Sequence, residues 1–387
     1  MREIHVSTNE AGQRLDKLLR KYLKNANTSF IYKMLRKKNI VLNDKKAEGK
    51  EILNLGDSVK MYFSEETFAT MTGLTGQYSG SAETNHATTA NASAKRAHPA
   101  SEKTSSAGKS NAQTYRNGSS GSTSERRAKR AFDVEGFRKH IVYEDENLLV
   151  LNKPSGWLSQ SDGSGLLSVN ELCLQYMMAT GALSEVQLQT FKPGIANRLD
   201  RNTSGLILFG KTLPALQALA ELLRDRTMEK YYLAIVYGDI DHAQRIDGYL
   251  AKDERSNRVE IRPKPFRDAV EIHTAYEPLE RRDDYTVLKV HLITGKTHQI
   301  RAHLCSIGHP IIGDPKYGRK EANAYDRMHG GVKSQLLHAW ELHFPETLNG
   351  VLQNLAGKTM TANPPKEFRT FLQYIKNFQI KKTAIRR

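Results

Sequence analysis

The amino-acid sequence predicts an α+β protein with a small N-terminal module, a linker and a larger C-terminal domain. In the C-terminal part, short β-rich runs bounded by turns are interrupted by isolated helical segments, a pattern typical of α+β domains and not of a doubly wound sheet. The 387 residues, 39% of them hydrophobic, suffice for more than one domain. Residues 67–130 are rich in Ser, Thr, Ala, Asn and Gly and contain little that could form a core. We therefore expect folded domains at 1–66 and 131–387, joined by a disordered linker.

The N-terminal module begins with two predicted helices. Apolar residues at positions 15, 18, 19, 22 and 23 recur at helical spacing and indicate a first amphipathic helix. A second helix should follow an N-cap at 27–29, with Ile31, Met34 and Leu35 facing inward. Strands are predicted over 39–46 and 56–63, the latter entered from a Gly-Asp turn. The solvent face of the second helix carries four cations, Lys33, Arg36, Lys37 and Lys38.

The C-terminal domain contains predicted strands at 147–151, 206–209, 232–237 and 286–292, and a helix at 213–224. Its most informative stretch is Asn197-Arg198-Leu199-Asp200-Arg201-Asn202-Thr203-Ser204-Gly205, directly before the second of these strands. Neighbouring guanidinium groups favour the ionised form of a carboxylate, so we expect Asp200 to be charged at neutral pH and able to act as a nucleophile or base. A salt bridge that only stabilises the turn is the structural alternative. The Thr-Ser-Gly end should shape the turn.

Charge and composition limit the classes of function. The net charge is +16, of which residues 1–66 carry +5 and residues 67–130 carry +6. Such asymmetry indicates a polyanionic partner, although solubility alone would also explain it. We expect neither a membrane span nor a signal peptide, and hence a cytoplasmic protein. Cys173 and Cys305 lack metal-ligand spacing, and no phosphate-binding glycine loop occurs. We therefore expect no disulfide, no metal and no cofactor.

The stretch around Asp200 resembles the active-site motif His-Arg-Leu-Asp-x-x-Thr-Ser-Gly of the RluA family of pseudouridine synthases. Three further stretches are similar to the family's motifs and follow in its order: 143–156 with Lys153-Pro154-Ser155-Gly156, 230–238 with Lys230-Tyr231-Tyr232, and 294–304 with His298-Gln299-Ile300-Arg301, continued by 308–314. Two positions depart from the pattern. Asn197 replaces the usual His but can still hydrogen-bond the turn, and Lys296 replaces an Arg, keeping the charge while losing the bidentate fork.

The resemblance implies the pseudouridine synthase fold, a mixed, largely antiparallel sheet with a central cleft. It implies that Asp200 is the catalytic carboxylate, that Arg301 is its partner, and that Tyr232 stacks on the uracil and assists a late proton removal. Arg198 would fill the space left by the flipped nucleotide or hold its phosphate. Without the resemblance, Tyr232 would be read as a core residue and Arg301 as part of a polar helix face. Tyr231 should face the opposite side of the strand from Tyr232.

The N-terminal module resembles the S4-like RNA-binding domain, through Arg14-Leu15-Asp16-Lys17-Leu18-Leu19, the basic second helix and the strands. That helix would contact the RNA backbone; an ordinary solvated face is the alternative. The leading hypothesis is a monomeric synthase acting on ribosomal RNA, most simply of the large subunit. A transfer-RNA synthase, a non-catalytic RNA-binding protein or chaperone, and an aspartate-nucleophile hydrolase are the alternatives. The hydrolase lacks metal-ligand carboxylates around Asp200. The contact residues expected on RNA are Arg198, Lys33, Arg36, Lys37 and Lys38.

Overall fold

Helices on one face of a small antiparallel sheet form the N-terminal module. The structure is a computed structural model, which describes residues 1–8, 10–72, 132–253, 258–282 and 284–374. The first elements are β1 (Arg2–His5), α1 (Leu15–Tyr22), α2 (Thr28–Arg36), β2 (Ile40–Leu42), β3 (Lys45–Lys46) and β4 (Ser58–Met61). The sheet order is β1-β4-β2-β3. Both predicted helices and the predicted strand regions are confirmed, and Asn27 caps α2 by accepting a 2.8 Å hydrogen bond from the Phe30 amide.

The N-terminal module extends beyond its predicted end. A helix, α3 (Glu65–Thr72), follows β4, and its Phe68 is only 1% exposed. The Phe68 ring lies 5.9 Å from the rings of Tyr22 and Phe63. Aromatic packing on the module's own core therefore continues past the predicted end at residue 66, as far as Thr72. Residues 73–131, which include the remainder of the predicted disordered linker, lie outside the described residues.

A long sheet forms the frame of the C-terminal domain. Its path is β11-β10-β12-β13-β9-β14-β8-β6-β5, with β7 paired to β8 and β15 to β14. Among the described strands of this sheet, every pair is antiparallel except β14 with β8, which confirms the predicted mixed, largely antiparallel sheet in an α+β fold. The strands are β5 (Ile141–Glu144), β6 (Leu148–Lys153), β7 (Gly194–Ile195), β8 (Ser204–Gly210), β9 (Glu229–Tyr237), β10 (Gln244–Asp253), β11 (Arg258–Arg262), β12 (Val270–Arg282), β13 (Tyr285–Leu292), β14 (Leu337–His343) and β15 (Thr359–Thr361).

Helices and one 3₁₀ turn cover the sheet. They are α4 (Val134–Arg138), α5 (Val169–Ala179), α6 (Glu185–Thr190), α7 (Leu213–Arg224), α8 (Gln299–Ser306), α9 (Lys320–Gly330), the 3₁₀ turn Gly350–Leu355 and a helical stretch at 366–374. On the face of β9 and β13 that packs on α5 and α8, Ala234, Val236, Leu288 and Val290 are buried in the main core. Within the described ranges, no helix is both long and apolar enough to cross a bilayer.

The parallel contact between β8 and β14 is short and demands a glycine. Only two residue pairs form it, Ser204 with His338 and Gly205 with Ala339. Gly205 has φ = +112°, and a Cβ at this position would lie 2.1 Å from the Ala339 carbonyl oxygen. No other residue allows so close an approach. The Thr-Ser-Gly sequence therefore sets the path of the chain immediately after Asp200, as predicted, at the middle of the sheet.

Candidate active site

Asp200 lies on the loop between β7 and β8, and this loop is tied to the strand that follows it. The Asn197 side chain donates to the Leu206 carbonyl at 3.2 Å and accepts from the Leu208 amide at 2.8 Å. Within the loop, the Thr203 amide donates to the Asp200 carbonyl at 3.0 Å. Asn197 thus pairs with the backbone of β8 much as another strand residue would. The departure from the family's His preserves a hydrogen-bonding role, with the strand and not the turn as partner.

Lys153 ties the other side of the loop to β6. Its ammonium group, in a residue only 1% exposed, donates to the carbonyl oxygens of Pro154, Trp157 and Arg201 at 2.9–3.0 Å. Burial lowers the pKa of Lys153 to about 7, and the charge of Asp200 opposes this shift. Sequence reasoning gave Lys153 no role, although the Lys-Pro turn that contains it was one of the matched stretches. Its contact with Arg201 fixes the backbone next to Asp200.

Arg301, at the start of α8, joins two carboxylates. Its Nη1 donates to Asp200 Oδ2 at 2.7 Å, while Nε and Nη2 donate to Asp314 at 2.7 and 2.9 Å. Burial disfavours the charged form of Arg301, but the hydrogen bonds and charges of the two carboxylates outweigh it and raise its pKa above the usual value. Burial likewise acts to raise the pKa of Asp314, but Arg301 and two backbone N–H groups outweigh it and lower the pKa. The guanidinium group is therefore charged and fixed in orientation.

Two rings complete the surroundings of this ion pair. The ring centroid of Tyr317 lies 5.3 Å from Cζ of Arg301. The Tyr317 hydroxyl is 3.0 Å from Nδ1 of His298. His298 precedes α8 in a left-handed conformation with φ = +56°, which places Nε2 3.9 Å from Asp200 Oδ2. Burial lowers the pKa of His298, with Asp200 opposing. Sequence reasoning assigned no role to His298, Asp314 or Tyr317; the first two lie in matched stretches, but Tyr317 follows the last of them.

Tyr232 lies on the buried face of β9, where the charge of Asp200 affects its hydroxyl. The residue is 7% exposed. Burial, and then the negative charge of Asp200, raise the pKa of Tyr232 well above its ordinary value. No described residue hydrogen-bonds its hydroxyl. Tyr231 points to the other face of the sheet, where its ring stacks on His291 with centroids 4.7 Å apart. The predicted separation of the two tyrosines is confirmed.

The remaining candidate residues lie on the surface. Arg198 is exposed and has no ion-pair or hydrogen-bond partner in the part of the chain that the structure describes. Lys33, Arg36, Lys37 and Lys38 are exposed at the end of α2, in the N-terminal module. The structure thus brings Arg301 into contact with the Asp200 carboxylate, whose charge also acts on Tyr232, and leaves the basic residues accessible to a partner. Among the described residues, no cluster of His, Cys, Asp and Glu could hold a metal ion.

The two oxygens of Asp200 differ in their surroundings. Oδ2 accepts from Arg301, whereas Oδ1 has no hydrogen-bond partner among the described residues. The Asp200 side chain is 25% exposed, compared with 4% for Arg301. A fixed cation on one oxygen holds the carboxylate in place, while the other oxygen stays open to a substrate. This arrangement suits attack on, or stabilisation of, an electron-poor carbon.

The sequence and the structure of this chain are similar to those of known RNA pseudouridine synthases. The family model described as RNA pseudouridylate synthase matches residues 147–306. Ribosomal large subunit pseudouridine synthase C of Vibrio cholerae is 30% identical over 344 residues, 88% of each chain. Ribosomal large subunit pseudouridine synthase D of Nitrosomonas europaea is 33% identical over 253 residues, 63% of this chain and 67% of the relative. The structure of Human RNA Pseudouridylate Synthase Domain Containing 4 shares the fold, with a TM-score of 0.50 and 22% identity over 63% of this chain and 95% of its own.

Proposed function

Because the chain belongs to the RluA family of RNA pseudouridine synthases, we propose that it converts specific uridines of large-subunit ribosomal RNA to pseudouridine. The choice of RNA rests on the relatives named as ribosomal large subunit synthases C and D, which this chain matches over two thirds or more of their length. The concentration of positive charge in the first 130 residues supports a nucleic-acid partner.

The observation that carries the proposal is the Asp200 carboxylate, held by Arg301 through Oδ2 and open at Oδ1. In the reaction, the bond from ribose C1′ to uracil N1 breaks, the uracil turns, and a bond from C1′ to C5 forms. N1 gains a proton and C5 loses one, so the product is an isomer of the substrate. We assign Asp200 to the electron-poor C1′, as a nucleophile or an electrostatic stabiliser. Arg301 holds that carboxylate in a fixed orientation.

We assign Tyr232 to the uracil ring. Enzymes that act on a base commonly flip it out of the stack and hold it against aromatic or apolar side chains. The raised pKa of Tyr232 means that its hydroxyl is a phenol at neutral pH. Such a phenol can accept the C5 proton only while it passes its own to a neighbour, and Asp200 is a candidate because its charge acts on Tyr232. Stacking is thus the primary role and proton relay the secondary one.

We assign the exposed cations to the RNA backbone. Arg198, two residues from Asp200, would occupy the space of the flipped nucleotide or hold its phosphate. Lys33, Arg36, Lys37 and Lys38 would contact phosphates farther along the RNA, as expected for an S4-like module. Contacts of this kind position the RNA without reading its sequence. Removing one of these lysines should weaken binding to all RNAs alike and reduce the salt dependence by roughly one counterion.

The test is pseudouridine mapping on total RNA from cells that lack the gene. The cells are complemented with the wild type, with Asp200→Asn, or with Asp225→Asn as a matched control. Asp225 follows α7 and pairs with Arg224 on the surface, so its loss should leave modification intact. We expect particular large-subunit uridines to lose modification in the deletion strain and to regain it with the wild type and the control only.

Two results would contradict the proposal. If the lost sites lie in transfer RNA, the enzyme is a synthase with a different substrate. If all sites persist in the deletion strain, or Asp200→Asn restores them, Asp200 is not catalytic, and an RNA-binding role for the chain becomes the better account.

A further inference from the structure

Lys230 is a buried cation that no described carboxylate neutralises. It is the second residue of β9 and is only 9% exposed. Its ammonium group has no hydrogen-bond or ion-pair partner among the described residues, yet Nζ is not closed off from solvent. The preceding residue, Glu229, accepts a hydrogen bond from the Tyr231 hydroxyl at 3.0 Å on the other face of the sheet. A charge in the position of Lys230 disfavours folding unless an anion neutralises it.

Lys230 lies on the same face of β9 as Tyr232. Side chains alternate along a strand, and the burial pattern of β9 follows that alternation. Two residues of a strand span about 7 Å, so the two side chains leave the sheet side by side. The Lys230 ammonium reaches the loop before α8, where a Cβ at Gly295 would lie 3.9 Å from Nζ. Three residues farther along this loop, His298 Nε2 is 3.9 Å from Asp200 Oδ2. The free ammonium therefore borders the candidate active site.

A second cation, Arg226, lies near Lys230 at the end of α7. Burial, and then the positive charge of Arg226, lower the pKa of Lys230, and no described carboxylate opposes them. Arg226 has φ = +60°, and the Thr227 amide donates to the Leu222 carbonyl at 3.2 Å, which is the geometry of a helix end that favours glycine. An exposed arginine in this conformation, beside a like charge, stabilises neither the helix nor the strand. Both features are typical of a site that binds an anion.

We propose that Lys230 and Arg226 bind one phosphate of the RNA backbone next to the target uridine. This inference rests on the proposed function, because it requires a uracil held at Tyr232. A strand whose uracil lies against Tyr232 brings an adjacent phosphate to Lys230, the next side chain on that face of β9. The ammonium binds a phosphate oxygen as a point charge, and the exposed Arg226 donates to the same group from the solvent side. Such a contact positions the RNA and does not read its sequence.

The test measures kcat and KM of the purified full-length chain on a large-subunit transcript that contains a uridine identified by mapping. Lys230→Met keeps the length of the side chain and removes the charge. KM should rise about tenfold and kcat should change less than about twofold, because the contact exists before the chemical step. The midpoint of urea unfolding should not fall, since an unpaired buried charge is removed.

Lys289→Met is the matched control. Lys289 lies on the neighbouring strand β13, and its ammonium is 4.5 Å from the centroid of the Tyr231 ring, on the face of the sheet opposite to Tyr232. Its substitution removes one lysine charge from the same sheet without reaching the proposed phosphate. Both constants should therefore stay within about twofold of the wild-type values.

A second variant covers the case in which Lys230→Met fails to fold. Arg226→Gly suits the left-handed backbone at this position and should fold at least as well as the wild type. It should raise KM about threefold, because an exposed ion pair contributes less than a buried one. Single methylphosphonates, which carry no charge, then replace in turn the phosphates on either side of the target uridine. At one position the wild type and Lys289→Met should lose about tenfold in kcat/KM, whereas Lys230→Met and Arg226→Gly should lose less.

The proposal is overturned if Lys230→Met and Arg226→Gly keep the wild-type KM, or if kcat falls in place of a rise in KM. A lower urea midpoint for Lys230→Met would also overturn it, because Lys230 would then serve the fold. So would a methylphosphonate scan in which every position affects the wild type and the variants equally. Failure of the proposed function would show differently, as absence of any conversion by the wild type.

Discussion

The two carboxylates that share Arg301 lie in regions of opposite character. Asp314 is fully buried and uses both oxygens, receiving two hydrogen bonds from Arg301 and two more from the amides of Lys316 and Tyr317. Asp200 is one-quarter exposed and accepts a single hydrogen bond from the same guanidinium. Two similar ion pairs therefore differ in what they contribute. The saturated pair holds Arg301 in place, and the open pair leaves an oxygen for chemistry.

The largest expected effect is on the open side. Asp200→Asn keeps the size of the side chain but removes the charge that acts on C1′, so kcat should fall roughly 10⁴-fold or more, as when an enzyme loses its nucleophile. Because Asp200 is partly exposed, the free energy of unfolding should change by no more than about 1 kcal/mol. Single-turnover assays and urea unfolding measure the two quantities. Normal turnover by this variant would remove the distinction between the two carboxylates.

Substitution of the buried carboxylate, Asp314, should affect stability more than substitution of Asp200 does. Asp314→Asn leaves the charge of Arg301 in a buried position with only Asp200 to balance it, so unfolding should become easier by about 3 kcal/mol. Activity should fall as well, because Arg301 loses its fixed orientation. Asp239→Asn is the control: Asp239 pairs with Arg281 on the surface, where an ion pair stabilises by about 1 kcal/mol at most. Equal stability losses in the two variants would show that the buried pair has no special role.

The sequence could predict features that depend on local pattern but not those that depend on tertiary contacts. Helices α1, α2 and α7 and strands β2, β4, β6, β8, β9 and β13 carry local periodicity, and Asp200 and Arg301 lie in contiguous motifs, so these elements and residues could be predicted. Asp314 and Lys153 are single polar side chains, and each makes its decisive contact with another segment of the chain, Asp314 with Arg301 and Lys153 with the Arg201 carbonyl. No spacing rule shows that a lysine will become buried against three carbonyl oxygens.

Two segments of the N-terminal module were missed for a related reason. β1 has only four residues, with alternating exposure, and becomes a strand by pairing with β4 more than fifty residues later. α3 has a mixed composition of Glu, Thr and Ala, and its Phe68 packs on the ring of Tyr22, far earlier in the chain. Local pattern was weak in both, and tertiary packing decided the structure.

The adjacent residues Tyr231 and Tyr232 of β9 allow a third comparison, because only Tyr232 is affected by the charge of Asp200. Tyr232→Phe retains a ring for stacking and loses the hydroxyl on which Asp200 acts, so kcat should fall about 100-fold, the lower part of the range for lost acid–base groups. Tyr231→Phe removes a hydroxyl that only bonds Glu229 on the other face, and should change kcat by less than about twofold. Rapid-quench measurement of pseudouridine formation distinguishes them. Equal rates for both variants would assign Tyr232 to stacking alone.

The smallest expected effect is the loss of folding stability at acid pH that results from protonation of His338. His338, next to the Asp200 loop, bonds Ser204 Oγ through Nδ1 at 2.8 Å and the Ala362 carbonyl through Nε2 at 2.9 Å. Burial lowers its pKa to about 4. In the unfolded chain the imidazole titrates near its ordinary pKa of about 6.5, so between these values the unfolded state binds more protons. Stability from the neutral ring is therefore complete above pH 6.5 and declines as the pH falls towards 4.

From this single group, unfolding should be about 2 kcal/mol easier at pH 5 than at pH 7. His338→Gln cannot gain a proton, so its unfolding free energy should vary less with pH by that amount. His242→Gln, which replaces an exposed histidine paired with Asp241, should retain the wild-type slope. Urea titrations from pH 5 to pH 7 measure the difference. The pKa of Asp314 is already lowered, so its contacts with Arg301 should persist over this range. If His338→Gln keeps the full acid sensitivity, the group responsible lies elsewhere than in the contact between β8 and β14.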